Sequence, residues 1–228
     1  MRKLCFIASV LLPLIACNRA IEEQPEEGLI GGAAYYNHYI QTYVDVTDIV
    51  QVINNNDGII LSAIGQMHLG SDFCDKFNDV GFNRQMADFT TSCILNHFVK
   101  IDLVSNSDFD PTHPSGTSLG DIAYFVGGSA QQFVKCKYAD DCRFRWGIDN
   151  PESHKKIAGV GLWYHYGYAP LYIKLQDISG ECLKLSSDTF GISFASMPTL
   201  SQKHTFTLTV TDCNGKEVKV SFDWECVN

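Results

Sequence analysis

The side chains that could do chemistry are few and scattered. Gly116-Thr117-Ser118-Leu119-Gly120 matches Gly-x-Ser-x-Gly, the turn that lifts a nucleophilic serine between a strand and a helix. What precedes it, Asp110-Pro111-Thr112-His113-Pro114, cannot be a central strand, because proline withholds a ladder N–H. Ser118 therefore reads as a helix N-cap, with Asp121 completing a capping box before a short helix through Ile122, Ala123, Tyr124 and Phe125. Asn106, Asp108 and Asp110 alternate oxygen donors as calcium loops do, but the central Gly and distal Glu of an EF-hand are missing. Asx side chains also build turns on their own backbone, and a turn is the simpler reading. In Trp163-Tyr164-His165-Tyr166-Gly167-Tyr168, aromatic side chains fall on both faces of a strand. Trp163, Tyr164 and Tyr166 are the candidate ligand-binding residues, able to stack on a sugar ring or seat a partner protein; the alternative is a strand buried on both faces. Asp75, Asp79, Asp140 and Asp141 read as solvated. The seven His residues do not cluster, and no GxGxxG occurs. No catalytic residue, metal ligand or cofactor is assigned.

Cysteine carries the most specific signal. Of the nine, Cys5 and Cys17 lie near the N-terminus. Residues 4–16 are almost wholly apolar, with Ser9 the only polar side chain, and follow Arg2 and Lys3. A helix of that length spans about 20 Å, too short for a bilayer core of roughly 30 Å, so a secretory leader is expected. Its end, Leu14-Ile15-Ala16-Cys17, resembles the lipobox of bacterial lipoproteins. The resemblance implies that Cys17 receives a diacylglyceryl thioether and becomes the first residue after cleavage. Two or more acyl chains hold a protein stably on a membrane. The other seven cysteines cannot all pair within one chain. Cys136 and Cys142, flanking a polar loop, are the expected pair.

The charge excludes some partners. The formal net charge is -9, from 17 basic and 26 acidic residues; without Arg2 and Lys3 the basic residues fall to 15 and the charge to -11. Nucleic acid is not expected as a partner, since neutralising phosphates needs Lys and Arg. An acidic body should also stand off anionic lipid. Glu22, Glu23, Pro25, Glu26, Glu27 and Gly31-Gly32 suit a flexible tether. The expected organisation is a leader over 1–16, a lipid-bearing Cys and acidic tether over 17–34, and one domain over 35–228.

The elements that must position any site are strands. Apolar residues alternate at Leu95, His97, Val99, Ile101 and Leu103, at Phe190, Ile192 and Phe194, at Phe206, Leu208 and Val210, and at Val218, Val220, Phe222 and Trp224. Paired residues must face one side of a sheet. A two-residue Asn214-Gly215 turn would set Val210 against Lys219. A three-residue loop, Cys213-Asn214-Gly215, sets Val210 against Val218, Leu208 against Val220 and Phe206 against Phe222, with Gly215 at the left-handed position. It also places Cys213 in the turn and Cys226 over 30 Å away along the strand, which excludes a bridge between them. The same three-residue device at Ile178-Ser179-Gly180 predicts a hairpin pairing Leu175 with Leu183 and Ile173 with Leu185. A longer turn at Asn54–Gly58 separates strands over Tyr39–Ile53 and Ile59–Leu69. A helix is also expected within Phe82–Cys93. Antiparallel strands joined by short turns imply an all-β, immunoglobulin-like sandwich with one or two short helices.

Two segments resemble a family. Lys100-Ile101-Asp102-Leu103-Val104-Ser105-Asn106-Ser107-Asp108-Phe109-Asp110, continuing into His113-Pro114-Ser115-Gly116-Thr117-Ser118-Leu119-Gly120-Asp121, resembles a block of small Bacteroidetes lipoproteins of unknown function, as does His204-Thr205-Phe206-Thr207 near the C-terminus. About 45 of 228 residues are covered, and this chain departs in its cysteine content and in the stretch 127–167. The resemblance implies a lipid-anchored sandwich at the outer membrane and no established activity. Three functions follow: a surface binding or accessory module for glycan or protein, a structural subunit of a fimbrial or envelope complex, and, with least support, an extracytoplasmic hydrolase.

Overall fold

The computed structural model describes residues 28–30, 33–55, 58–86, 91–142, 151, 156, 159–162 and 167–226. The described residues form twelve strands: β1 (Gly28–Ile30), β2 (Ala33–Tyr36), β3 (Thr42–Asn55), β4 (Gly58–Leu69), β5 (Arg84–Met86), β6 (Ser92–Ile94), β7 (Phe98–Ser105), β8 (Ala123–Ser129), β9 (Ala169–Lys174), β10 (Thr189–Phe194), β11 (Lys203–Asp212) and β12 (Glu217–Glu225). Two short α-helices, α1 (Cys74–Phe77) and α2 (Gln131–Lys135), interrupt them. The fold is all-β and sandwich-like. A six-stranded sheet runs β6-β3-β4-β10-β8-β9, a three-stranded sheet runs β12-β11-β7, and β1-β2-β5 form a small third sheet. Pairing is antiparallel except between β3 and β6.

The main core lies between the two larger sheets. Ile49, Leu61, Phe125 and Phe190 from one meet Leu103, Phe206, Leu208 and Trp224 from the other. Each such side chain contributes about 1.5–3 kcal/mol when fully withdrawn from water. The six-stranded sheet is covered on its second face too. Ile60 and Val126 meet Val160 and Leu162 there, which is why four successive residues of β4, Gly58 to Leu61, are buried. An aromatic core of Tyr39, Tyr43, Phe82, Phe133, Tyr138 and Tyr168 forms a further cluster, with Phe133 supplied by α2.

The register of the terminal hairpin is the one parity requires. Val210 pairs with Val218, Leu208 with Val220 and Phe206 with Phe222. Asp212 N–H donates to Lys216 O at 2.9 Å, and Gly215 takes φ +81°. Cys213 is exposed in the loop and Cys226 is buried beyond the end of β12, with no bridge between them. The β3–β4 hairpin also forms, with pairing carried down to Asn55 and Gly58. Bulges between Val46 and Asp48 and between Gln51 and Ile53 bend it.

Four expectations fail. The alternation from Leu95 to Leu103 breaks at Val99: Lys100 pairs with Thr211 and Phe98 with Asp212, so Val99 is an extra, bulged residue and Phe98 turns into the core. The hairpin at Gly180 does not form. Gly180 does take a left-handed φ of +53°, but β9 pairs with β8, and 181–185 is a run of turns in which Leu185 adopts φ +51°. Leu175, Leu183 and Leu185 are still buried, so the apolar pattern reported burial and not pairing. The helix after Ser118 is instead a turn leading into β8, because Ala123 to Phe194 and its neighbours satisfy the β8 backbone against β10. Within Phe82–Cys93 the described residues hold β5 and the start of β6, not a helix.

Candidate functional site

An open concavity lies where the strands of the β12-β11-β7 sheet end. β7 finishes at Ser105, and Asn106 extends its ladder: its N–H donates to Thr205 O at 3.0 Å, and its Oδ1 accepts from Thr205 N–H at 2.7 Å. The start of β11 and the end of β12 complete an open groove of about 570 Å³ walled by Asn106, Ser107, Lys203, Thr205, Asp223 and Glu225. Thr205 Oγ1 donates to Asp223 Oδ1 at 2.7 Å, and Lys203 Nζ lies 3.3 Å from Glu225 Oε2. Trp224 also borders the groove but is only 1% exposed, so it offers no open ring face. A ligand here would be held by hydrogen bonds and charge, not by stacking on that indole.

Beneath the groove is a serine–histidine pair. Ser105 Oγ lies 2.8 Å from His204 Nδ1, and His204 Nε2 lies 2.9 Å from Ser201 O. A carbonyl only accepts, so Nε2 carries the proton, and Nδ1 accepts from the Ser105 hydroxyl. Burial holds the His204 pKa below its ordinary value, against the opposing carbonyl of Ser201. This is the geometry of a nucleophile beside its base, but Ser105 is 2% exposed and Ser107 N–H already donates to its oxygen at 3.1 Å. His204 is stacked on Phe206 at 5.3 Å. The pair braces the end of β7 against the start of β11 and presents no nucleophile to solvent.

Ser118 is bonded to a carboxylate and not to a histidine. Its Oγ donates to Asp102 Oδ1 at 2.5 Å, and its main chain bridges to Val104. Asp108 and Asp110 organise the loop, while the Asn106 side chain is spent on Thr205 of β11. Asp108 Oδ1 accepts from Ser115 N–H at 2.8 Å, and Asp110 Oδ1 accepts from the N–H groups of Thr112 and His113 at 2.8 and 2.9 Å. Hydrogen bonds from Thr112, against some desolvation, take the Asp110 pKa down to about 2. No group of three or more His, Cys, Asp or Glu side chains suited to a metal ion occurs among the described residues.

Asp79 is not solvated. It is fully buried, and its carboxylate accepts from Tyr39 N–H at 2.9 Å, Ile40 N–H at 2.8 Å and the Tyr138 hydroxyl at 2.5 Å. Burial first, and then Asp79, raise the Tyr138 pKa far above the ordinary phenol value. Tyr138 lies on the loop closed by the expected Cys136–Cys142 disulfide, whose Cα atoms are 6.2 Å apart. Lys137 Nζ reaches Asn78 O at 2.8 Å, and Arg84 reaches Tyr138 O at 2.7 Å. The bridge therefore clamps one loop over the turn that carries Asp79. The partner set is invisible in sequence because its members stand 39 to 59 residues apart.

Cys17, Trp163, Tyr164 and Tyr166 lie outside the described residues. Flanking the aromatic run, Leu162 is buried behind the six-stranded sheet and Tyr168 Oη donates to Ser92 O at 2.8 Å. The half-buried Tyr124 and Tyr172 stack at 4.4 Å, with Lys156 Nζ over the Tyr172 ring at 4.2 Å from its centroid. No helix among the described residues is long and apolar enough to cross a membrane. No family model, curated protein or solved structure matches the chain.

Proposed function

We propose that this chain is an extracytoplasmic lipoprotein, held at the outer membrane by acyl chains on Cys17, that works as a surface binding or accessory module for a glycan or a protein. The anchor rests on the basic start, the apolar run and Leu14-Ile15-Ala16-Cys17. The binding role rests on one observation, the open polar groove at the end of the β12-β11-β7 sheet. Its Lys203, Asp223 and Glu225 side chains and its amide and hydroxyls suit a hydroxyl-rich or charged ligand.

Two experiments test the two halves. Radiolabelled palmitate should enter the wild-type chain and not Cys17→Ala; a wild-type protein that is unlabelled and fractionates as soluble refutes the anchor. Wild-type protein on glycan and protein arrays should retain a ligand, which Lys203→Ala with Glu225→Ala abolishes if the groove holds it. Loss with Trp163→Ala and Tyr164→Ala instead moves the site to the aromatic run. No retained ligand across either array refutes the binding reading.

A structural-subunit reading is supported by the edge of β4. β10 pairs with β4 only from Ile59 to Ser62. Beyond it Met67 is 70% and Leu69 68% exposed, which is how an edge that accepts a partner strand is built. A stoichiometric partner that co-purifies with the wild type and is lost with Met67→Lys would favour this reading.

A further inference from the structure

His113 stands on the loop joining β7 to β8, with a carboxylate against each ring nitrogen. Nδ1 is 2.9 Å from both oxygens of Asp110, and Nε2 is 3.0 and 3.2 Å from those of Asp121. Thr112 Oγ1 lies 3.0 Å from Nδ1. An ionised carboxylate only accepts, and a neutral imidazole has one N–H. Both contacts are hydrogen bonds only if the ring is an imidazolium. The residue is 9% exposed, so its ring itself meets little water. The charged groups that face it are Asp110, on its own loop, and Asp121, at the entry to β8.

We infer that His113 is a pH-operated latch that ties the tip of the β7–β8 loop to the entry of β8 while protonated and lets Asp121 go when it loses its proton. Loss of the proton leaves one nitrogen lone pair pointing at a carboxylate. Asp110 cannot turn away, because it also accepts from Thr112 N–H, Thr112 Oγ1 and His113 N–H, at 2.8, 2.6 and 2.9 Å. The Asp121 side chain is 50% exposed and swings into water at little cost. The same loop carries Asn106 and Ser107 of the groove wall, and Phe109, whose carbonyl accepts from Thr199 N–H at 2.9 Å. Unlatching therefore loosens the segment between the groove and β8, whatever the groove binds.

Titration agrees in direction. Burial opposes the charge on His113, but the hydrogen bonds and charges of Asp110 and Asp121 outweigh it and raise its pKa. A raised folded-state pKa means the latch is fully closed below the unfolded value of about 6.5 and is lost as pH rises through the folded value.

Histidine-detected NMR and amide exchange on the full chain test the latch. At pH 6 the His113 ring should show two N–H groups, and its midpoint should lie above 6.5. Above that midpoint, exchange at Ile122 and Ala123 N–H, which donate to Leu119 O beside Asp121, should accelerate more than the intrinsic tenfold per pH unit. Asp121→Asn, a half-exposed and foldable change, should lower the His113 midpoint and the onset of fast exchange together. Each unit of midpoint shift corresponds to a tenfold change in the latch equilibrium. His204 should be unmoved. A single N–H on His113 at pH 6, a midpoint at or below 6.5, or an exchange onset indifferent to Asp121→Asn each overturns the inference.

Discussion

Replacing Asp79 by alanine removes the acceptor of three buried donors in one step. Tyr39 N–H, Ile40 N–H and the Tyr138 hydroxyl all lose their hydrogen bond to this carboxylate. Each buried donor left unsatisfied costs about 1–3 kcal/mol. The sum is at least about 3 kcal/mol, a large share of the roughly 5–15 kcal/mol that stabilises an ordinary domain. Tyr138→Phe removes one donor and should cost about 1–2 kcal/mol. Because the two changes share a bond, the double variant should lose less than the sum. Asp79→Asn keeps one carbonyl oxygen but turns an NH₂ toward donors, so it should destabilise more than Tyr138→Phe. Urea unfolding followed by tyrosine fluorescence reads all four, provided the slope with urea is unchanged. A loss below about 1 kcal/mol for Asp79→Ala, or full additivity with Tyr138→Phe, refutes the claim that this carboxylate holds the turn at Tyr39 and Ile40 onto the Cys136–Cys142 loop.

Three further outcomes follow from the geometry. Cys136→Ser with Cys142→Ser should lose about 2 kcal/mol, the chain-entropy value for so short a loop, and dithiothreitol should bring the wild type to the same urea midpoint. At Gly215 an added Cβ meets nothing within 4 Å, yet φ is +81°; Gly215→Val should therefore cost about 1–2 kcal/mol through the backbone alone, and Gly215→Asn less, as thermal melts would show. His204 has a lowered pKa, so its contribution is present above the unfolded value of about 6.5 and is lost as pH falls through the folded value; Ser105→Ala should lower the melting temperature more at pH 7 than at pH 5, and a loss that is larger at pH 5 would contradict the neutral-His assignment.

The amino-acid sequence alone determined what depends on parity and spacing. Apolar residues at every second position marked β10, β11 and β12, and matching faces settled the three-residue loop at Cys213-Asn214-Gly215, because a shift of one residue sets Val210 against Lys219. Cys136 and Cys142 were legible as a pair because only the five residues from Lys137 to Asp141, a polar loop, lie between them. Only the tertiary structure decided where the long-range partners fall. β9 chose β8 over the chain beyond Gly180, since burial of Leu183 and Leu185 needs no strand. Val99 became a bulge because Phe98 gains more from the core than an unbroken ladder does. Asp79 looked solvated because its donors lie in other segments, and Ser105 meets His204 across 99 residues. A charge or hydroxyl is neutral to its own local pattern; what it does is set by the groups that folding carries to it, and for those the one-dimensional period holds no signal.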